Sequence, residues 1–179
     1  MSPPGEAQPV KLFAGLLSAD RNLLVGVEEK LTALYGPIDA RSEIVPWEVS
    51  RYYETEMGSN LLRRFVSFAR PIAPEALPDI KLGTGEIERC HAAAGGARRI
   101  NIDPGYVDVG KVVLASTKPA GHRMYLRRGI YAEMTLLYHS GNYQAFVYTY
   151  ADFQWPATTA FLTDARRRYL DQLKQNDGG

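Results

Sequence analysis

The chain has 179 residues, of which 45% are apolar and 23% charged, a globular composition that excludes a disordered or collagen-like chain. This length fits one domain and buries enough surface to fold without a disulfide or a metal ion. The formal net charge of +1 identifies no partner, and the single cysteine, Cys90, excludes an internal disulfide.

The first predicted elements are a strand and a helix. Residues 1–9 hold three prolines and no apolar segment, so we expect a disordered leader. Residues 10–17 form a short apolar run, which favours a buried strand. Apolar side chains recur at intervals of three and four over residues 22–35, the spacing of an amphipathic helix. Gly36, followed by proline, predicts the end of that helix.

Four more segments complete the first half of the chain. Residues 38–47 and 63–70 are rich in apolar and aromatic side chains and predict two strands. Residues 74–94 predict a helix, and residues 98–103 predict another strand. The resulting order, strand–helix–strand–strand–helix–strand, is the connectivity of a ferredoxin-like domain.

The second half begins with an ambiguous segment. Residues 107–116 suit a helix or a strand, because valines share one helical face but also favour sheets. Residues 123–126 and 129–138 predict two strands. A turn-rich sequence at 139–142 predicts that residues 143–148 pair with the second of them as a hairpin.

A final helix is predicted over residues 156–173, followed by a disordered tail at 174–179. We therefore expect a single α+β domain over residues 10–173. Its core would be a mainly antiparallel sheet with the helices packed on one face, and its N-terminal part would be ferredoxin-like in connectivity.

Positive charge is concentrated in the middle of the chain. Residues 61–130 carry twelve Lys or Arg and six Asp or Glu, and no acidic residue lies between Asp108 and Glu133. Such a stretch attracts phosphate or carboxylate groups, although a solvated basic face is the alternative. The candidate ligand-binding cations are Lys111, Lys118, Arg123 and Arg127.

Two neighbours add other chemistry to this stretch. Asp103 either begins a structural turn with Pro104 and Gly105 or places a functional carboxylate at a strand end. Tyr131 can stack on a nucleic-acid base or simply pack within a strand. Both residues are included in the candidate ligand site.

Glu133 is a charged residue inside an otherwise apolar predicted strand. Strict alternation places Tyr131, Glu133 and Thr135 on one face, which meets either solvent or a polar cleft. In the second case Glu133 would pair with a cation such as Arg123. Together with His122 it would then be a candidate for acid–base catalysis.

Residues 105–112 partly match the motif of a phosphate-binding loop. Gly105, Gly110 and Lys111 fit its first seven positions, but Val112 stands where the motif needs Ser or Thr to bind magnesium. We predict that this segment does not bind GTP as a P-loop does. The three histidines show no metal-ligand spacing, and a magnesium site built from Glu54, Glu56, Asp103 and Glu133 is the weaker alternative. We predict no metal and no other cofactor.

Several segments carry a resemblance to a known family. They are Lys11-Leu-Phe-Ala-Gly-Leu-Leu-Ser, Tyr52-Tyr-Glu-Thr-Glu-Met-Gly, Arg64-Phe-Val-Ser-Phe, Asn101-Ile-Asp-Pro-Gly-Tyr, Leu114-Ala-Ser-Thr-Lys, His122-Arg-Met-Tyr-Leu and Gly129-Ile-Tyr-Ala-Glu-Met-Thr-Leu. The sequence resembles, from about Pro9 to Leu173, a bacterial family of uncharacterised proteins known as domain of unknown function 4416. The resemblance implies no established activity, although some members carry a GTP-binding label.

The sequence predicts a binding module for an anionic ligand, which would be a nucleotide, an RNA phosphate or a carboxylate metabolite. The alternatives are a small enzyme that uses Glu133 and His122 on an anionic substrate, or a protein-interaction scaffold. No run is long enough to span a membrane, so we expect a cytoplasmic protein. The sequence leaves the oligomeric state open.

Overall fold

The computed structural model describes residues 5–49 and 53–177. Within these ranges nine strands form one antiparallel sheet, with four helices around it. The strands are β1 (Val10–Ser18), β2 (Ile38–Arg41), β3 (Val45–Pro46), β4 (Leu62–Ile72), β5 (Asn101–Val107), β6 (Lys111–Ser116), β7 (Arg123–Arg127), β8 (Ile130–His139) and β9 (Asn142–Ala145). The helices are α1 (Arg21–Tyr35), α2 (Glu54–Met57), α3 (Leu77–Cys90) and α4 (Pro156–Asp177). Two 3-10 turns, Pro74–Ala76 and Ala151–Gln154, precede α3 and α4.

The sheet has the order β2-β4-β1-β5-β6-β8-β7, with β3 paired to β4 and β9 paired to β8. β1 lies between β4 and β5, and all nine of its residues are buried. Burial on both faces explains why its sequence is a continuous apolar run without alternation. The α+β class and the antiparallel sheet are confirmed, whereas the ferredoxin-like connectivity stays a prediction.

Helices lie on both faces of the sheet. Leu12 packs in one core with Leu24 of α1 and Ile87 of α3. Phe13, the next residue of β1, packs in a separate core with Phe161 of α4. The prediction that the helices share one face was therefore wrong for α4. Neighbouring residues of a strand point to opposite faces, and β1 is apolar on both, so each face requires its own cover.

The N-terminal helix forms where the sequence predicts it. The Asp20 side chain accepts hydrogen bonds from the backbone N–H groups of Asn22 and Leu23, which caps the first turn of α1. Gly36 ends the helix with a φ of 96°, a conformation that favours glycine.

The segment around residues 101–116 differs from the prediction. Asp103, Pro104 and Gly105 lie inside the extended strand β5 and do not form the predicted turn. The ambiguous residues 107–116 are the end of β5, a short connection and β6. Gly105 is required by the close approach of the two strands, because a Cβ there would lie 2.4 Å from the Val113 carbonyl oxygen.

Two tight turns connect the strands of the second half, and the predicted β7–β8 and β8–β9 pairs are confirmed. Arg128 and Gly129 have positive φ angles of 55° and 77°, and Ser140 and Gly141 have 50° and 85°. Two consecutive left-handed residues match the right-handed twist of the flanking strands, which explains why both hairpins are so short.

The elements also depart from the predicted boundaries elsewhere. The predicted strand at 38–47 is two short strands, and α3 ends at Cys90, before the predicted residue 94. α4 ends at Asp177, beyond the predicted residue 173 and within the predicted tail. Of the predicted leader, residues 1–4 lie outside the described part. None of the described helices has the length and apolar character of a membrane span.

Candidate functional site

The sheet opens between β5 and β6. The two strands are paired only between Gly105–Val107 and Val112–Leu114. The preceding residues of β5, 101–103, pair with β1 on one side. On the other side these three residues do not pair with β6, so a gap forms between the start of β5 and the end of β6.

Side chains of α3 bind the backbone that this gap exposes. The Ile102 N–H donates to Glu88 Oε1 over 2.6 Å, and Lys81 Nζ donates to the Ile102 carbonyl oxygen over 2.8 Å. Backbone directions alternate along a strand, so the backbone of Pro104 faces the same side as that of Ile102. Proline has no N–H to donate, which explains why pairing with β6 starts only at Gly105.

The gap leads into a cavity of about 600 Å³, which we call the β5–β6 cleft. Residues of α3, the start of β5, the end of β6 and the turn Ala151–Gln154 line it. This volume lies within the range of small-molecule sites, about 300–1,000 Å³. Apolar and aromatic side chains, among them Trp47, Tyr53, Leu82 and Phe153, alternate around it with charged groups.

Cations outnumber carboxylates in the described lining of the cleft. The cationic side chains are Arg63, Lys81, Arg89, Arg98, Lys118 and Arg123. The acidic side chains are Glu88, Asp103, Glu133 and Asp152. Charged groups around a partly apolar cavity favour a charged ligand with its own polar groups.

Arg63 is held rigidly at the inner wall. Its side chain is 4% exposed and contacts Asp152 at 3.0 Å and Asp103 at 3.3 Å. Its guanidinium lies 4.7 Å from the centre of the Phe65 ring. Gly15 provides the space, because a Cβ there would lie 2.8 Å from Arg63 Nη2. Arg63 therefore supplies a fixed positive charge and orients the two carboxylates.

Asp103 presents a free acceptor to the cleft. Its Oδ2 accepts from Asn101 Nδ2 at 2.7 Å and from Arg63 Nη1 at 3.3 Å. Its Oδ1 lies 3.6 Å from Lys81 Nζ and accepts no hydrogen bond from any described residue. Burial opposes ionisation, but the positive charges of Lys81 and Arg63 outweigh it and hold the pKa of Asp103 below its usual value. Asp103 is thus ionised at neutral pH.

The pKa values of two other carboxyl groups in the cleft are shifted in the opposite direction. Burial raises the pKa of Glu88 and that of Asp152, although Lys81 and Arg63, respectively, act against the increase. The cleft therefore brings together carboxyl groups of different acidity from three separate elements of the fold.

A bidentate ion pair fixes the segment before β5. Arg98 donates to both carboxylate oxygens of Glu56 in α2, at 2.8 and 2.6 Å, and to Asn101 Oδ1 at 2.8 Å. The hydrogen bonds from Arg98 lower the pKa of Glu56 and raise that of Arg98. Bidentate pairs of this kind combine strength with a defined orientation, so Arg98 enters the cleft lining in one position.

Glu133 is buried, and both of its carboxylate oxygens have partners. It is 1% exposed, which excludes the alternative that its face of β8 meets solvent. Its Oε2 accepts from Arg123 Nε at 2.8 Å and lies 3.0 Å from His122 Nε2, while Oε1 accepts from the Thr135 hydroxyl at 3.3 Å. The His122 ring stacks on Tyr148 with centroids 4.1 Å apart.

The same network holds Arg123 in place. Beyond Glu133, its guanidinium donates to the Lys118 carbonyl oxygen at 2.9 Å and to the Tyr150 hydroxyl at 2.7 Å. Since both oxygens of Glu133 already have partners, this carboxylate is better suited to fixing Arg123 than to removing a proton from a ligand.

Four of the eight predicted site residues line the cleft: Asp103, Lys118, Arg123 and Glu133. His122 contacts Glu133 from outside the described lining.

The other three predicted residues have partners away from the cleft. Lys111 pairs with Asp108 in the β5–β6 connection. Arg127 pairs with Asp79 at 2.6 Å. Tyr131 packs against Tyr125, with ring centroids 5.4 Å apart. The structure therefore separates the predicted cluster into residues of the cleft and residues on the outer part of the sheet.

The segment tested as a phosphate-binding loop is a β-hairpin. Residues 105–107 belong to β5 and residues 111 and 112 to β6, and Asp108 Oδ1 accepts from the N–H groups of Gly110 and Lys111. A P-loop leads from a strand into a helix, whereas this one leads into a strand. Among the described residues, no group of three or more His, Cys, Asp or Glu side chains is arranged to bind a metal ion.

Sequence reasoning missed Lys81, Glu88, Arg63, Arg98 and Asp152. Lys81 and Glu88 are ordinary polar positions of an amphipathic helix, and their role depends on the gap between two strands. Pro104 was the available signal, because a proline within a strand removes one hydrogen bond of the ladder.

The comparisons with known proteins identify a family but no activity. The family model described as Domain of unknown function (DUF4416) matches residues 8–169, and the chain belongs to this family. No curated protein and no solved structure matches the chain.

Proposed function

We propose that the protein binds an anionic small molecule in the β5–β6 cleft. The observation that carries this proposal is the cavity of about 600 Å³ whose described lining has six Lys or Arg and four Asp or Glu. A ligand of small-molecule size fits that volume. The arginine and lysine side chains of the lining favour a phosphate or carboxylate group on it, and two of them, Arg89 and Arg98, are paired with Glu86 and Glu56 outside the lining.

The form of the site favours a small molecule over an RNA backbone. A nucleic-acid backbone requires cations spread along an open surface. Arg127 and Arg128, two exposed cations of the β7–β8 hairpin, share one carboxylate, Asp79, and lie outside the described lining of the cleft. The cations of the cleft instead line a single concave cavity between α3 and the turn before α4.

The site is preorganised for binding. Arg63, Arg98 and Arg123 are each held by a carboxylate of the protein. Their positions are therefore fixed before a ligand arrives, which reduces the entropy lost on binding. We further propose that this binding protein is cytoplasmic; its single cysteine, Cys90, fits a reducing compartment.

Calorimetric titration with pyrophosphate and with citrate tests the proposal. We expect both anions to bind the wild type, and Lys118→Gln to weaken binding about fivefold by removing one positive charge. Lys174→Gln is the control, because Lys174 is 80% exposed on α4 and lies outside the described lining. Equal affinity of both variants for the anions, or no binding by the wild type, would contradict the proposal.

A second candidate function is acid–base catalysis on the bound anion. It is favoured by the 3.0 Å contact between His122 Nε2 and Glu133 Oε2 at the edge of the cleft. His122→Gln keeps a hydrogen-bonding side chain but cannot exchange protons at neutral pH. If His122 takes part in proton transfer, this variant binds the anions normally and loses turnover of any substrate found.

A further inference from the structure

We infer that the anionic ligand also carries hydroxyl groups, one of which binds between Lys81 and Asp103. The inference rests on the proposed function and identifies the ligand class as a hydroxylated carboxylate or phosphate ester. Lys81 also contributes to the attraction of an anion, so the two claims are separated by comparing hydroxylated and plain probes that carry the same charged group.

Lys81 offers a hydrogen-bond donor and Asp103 offers an acceptor to the same position in the cleft. Lys81 Nζ and Asp103 Oδ1 are 3.6 Å apart, too far for a direct hydrogen bond. Lys81 Nζ uses one N–H on the Ile102 carbonyl oxygen, which leaves N–H groups that can bind a ligand. Asp103 Oδ1 can accept a hydrogen bond as described above. A hydroxyl both accepts and donates, so one hydroxyl satisfies both groups.

Neighbouring side chains fix the orientation of the Asp103 carboxylate. Asp103 Oδ2 is bound by Asn101 and Arg63, and Arg63 is bound in turn by Asp152. These contacts direct Oδ1 towards the cavity, where 27% of the Asp103 side chain is exposed. Lys81 has a flexible stem and can adjust by the few tenths of an ångström that an inserted oxygen needs.

A ligand without a hydroxyl at this point would bind less well. Its hydrocarbon would displace water from an ionised acceptor and a charged donor and give them no partner. Sites built to bind a hydroxyl discriminate strongly against analogues that lack it, for that reason. Trp47 and Tyr53, with ring centroids 5.8 Å apart, add the apolar surface that the C–H groups of a hydroxylated carbon chain can contact.

Two pairs of probes separate charge from hydroxyl recognition. Gluconate and hexanoate share a carboxylate and six carbons, but only gluconate carries hydroxyls. Glucose 6-phosphate and hexyl phosphate form the corresponding phosphate pair. By calorimetry or NMR titration we expect the hydroxylated member of at least one pair to bind the wild type about tenfold more tightly than its partner. The preferred pair distinguishes a carboxylate from a phosphate ligand.

Asp103→Asn is the sharpest variant. Arg63 and Asn101 donate to the Oδ2 position, so the amide oxygen is expected to remain there and the NH₂ group to take the Oδ1 position. The substitution thus replaces the acceptor in the cleft by a donor. Lys81→Met removes the donor and serves as the second variant. Thermal unfolding of both variants shows that each is folded before binding is measured.

In both variants we expect the preference for the hydroxylated probe to fall from about tenfold to about twofold or less. Lys118→Gln should weaken both members of a pair equally and keep the preference. If the wild type binds hydroxylated and plain probes equally, or if the folded variants keep the preference, the inference is wrong and the proposed function stands. If no charged probe binds the wild type, the proposed function itself is wrong.

Discussion

Two lysines of this protein lie close to partly buried carboxylates and differ in how many of their hydrogen-bonding groups have partners. Lys11 is fully buried in β1, and its Nζ donates to Asp39 at 2.6 Å and to the Phe68 carbonyl oxygen at 2.9 Å. Lys81 is 12% exposed and has one hydrogen bond, with Asp103 beyond reach at 3.6 Å.

This difference distinguishes an ion pair that stabilises the fold from a pair that can bind a ligand. Ser67 donates to the second oxygen of Asp39 at 2.7 Å, so the Lys11 network is closed and lies outside the cleft lining. Among the described residues, the Lys81–Asp103 pair keeps a donor and an acceptor without a hydrogen-bond partner on the cavity wall. Burial of a charge alone therefore does not mark a functional site; spare hydrogen-bonding capacity next to a cavity does.

The largest expected effect on stability comes from breaking the closed pair. Lys11→Met leaves Asp39 and the Phe68 carbonyl oxygen without their partner, and we expect the free energy of unfolding to fall by about 3 kcal/mol. Urea unfolding measures it. Lys174→Met, on the exposed end of α4, is the control and should change little. A loss as small as that of the control would show that the Lys11 pair is not structural.

Gly105→Ala tests the close approach of β5 and β6 at the point where the two strands begin to pair, next to the cleft. The new Cβ would lie 2.4 Å from a backbone oxygen of Val113, which cannot move without disturbing the strand pair. We expect a loss of about 2 kcal/mol in urea unfolding. Gly110→Ala in the same hairpin is the matched control, since a Cβ there meets nothing within 4 Å. Equal losses in the two variants would refute the close approach at Gly105.

Lys81→Met should separate binding from stability. Lys81→Met removes the hydrogen bond to Ile102 and the attraction to Asp103 at 3.6 Å, and we expect the free energy of unfolding to fall by about 1.5 kcal/mol. Its effect on stability is therefore smaller than that of Lys11→Met, whereas its effect on the hydroxylated probes is larger. The comparison of the two lysines fails if Lys81→Met destabilises the protein as much as Lys11→Met does.

Glu88→Gln should have the smallest effect, and that effect should depend on pH. Burial raises the pKa of Glu88 in the folded protein, so its favourable contribution is present at low pH and is lost as the pH rises through that raised pKa. Glutamine does not ionise. Relative to wild type, the variant should therefore become slightly more stable as the pH rises from 4 to 7. Glu86→Gln, on the exposed face of α3, is the control, and a gain towards low pH would contradict the assignment.

Local sequence patterns predicted much of the fold but only part of the site. The apolar run of β1, the spacing and cap of α1, and the glycine turns around β8 depend on neighbours in sequence, and these elements were predicted. The placement of α4 depends on which face α1 and α3 leave uncovered, which no local pattern contains.

The same distinction applies to the site. Glu133 was found because a charge interrupts an apolar strand, and its contacts with His122 and Arg123 connect residues only ten or eleven positions apart. Lys81 reaches Ile102 across twenty-one positions, and only after β5 and β6 have separated. Residues whose role arises from such tertiary geometry look like ordinary surface charges in the sequence.

The most direct test of the central claim is an NMR titration of the ¹⁵N-labelled protein with pyrophosphate, with sodium chloride of equal ionic strength as the reference. If the anion binds in the cleft, amide shifts concentrate in residues 101–103 of β5 and in residues 114–118, which are the end of β6 and the segment after it, on opposite sides of the cleft. Shifts confined to other basic segments, such as residues 166–168 of α4, or shifts no larger than those with chloride, would contradict this claim.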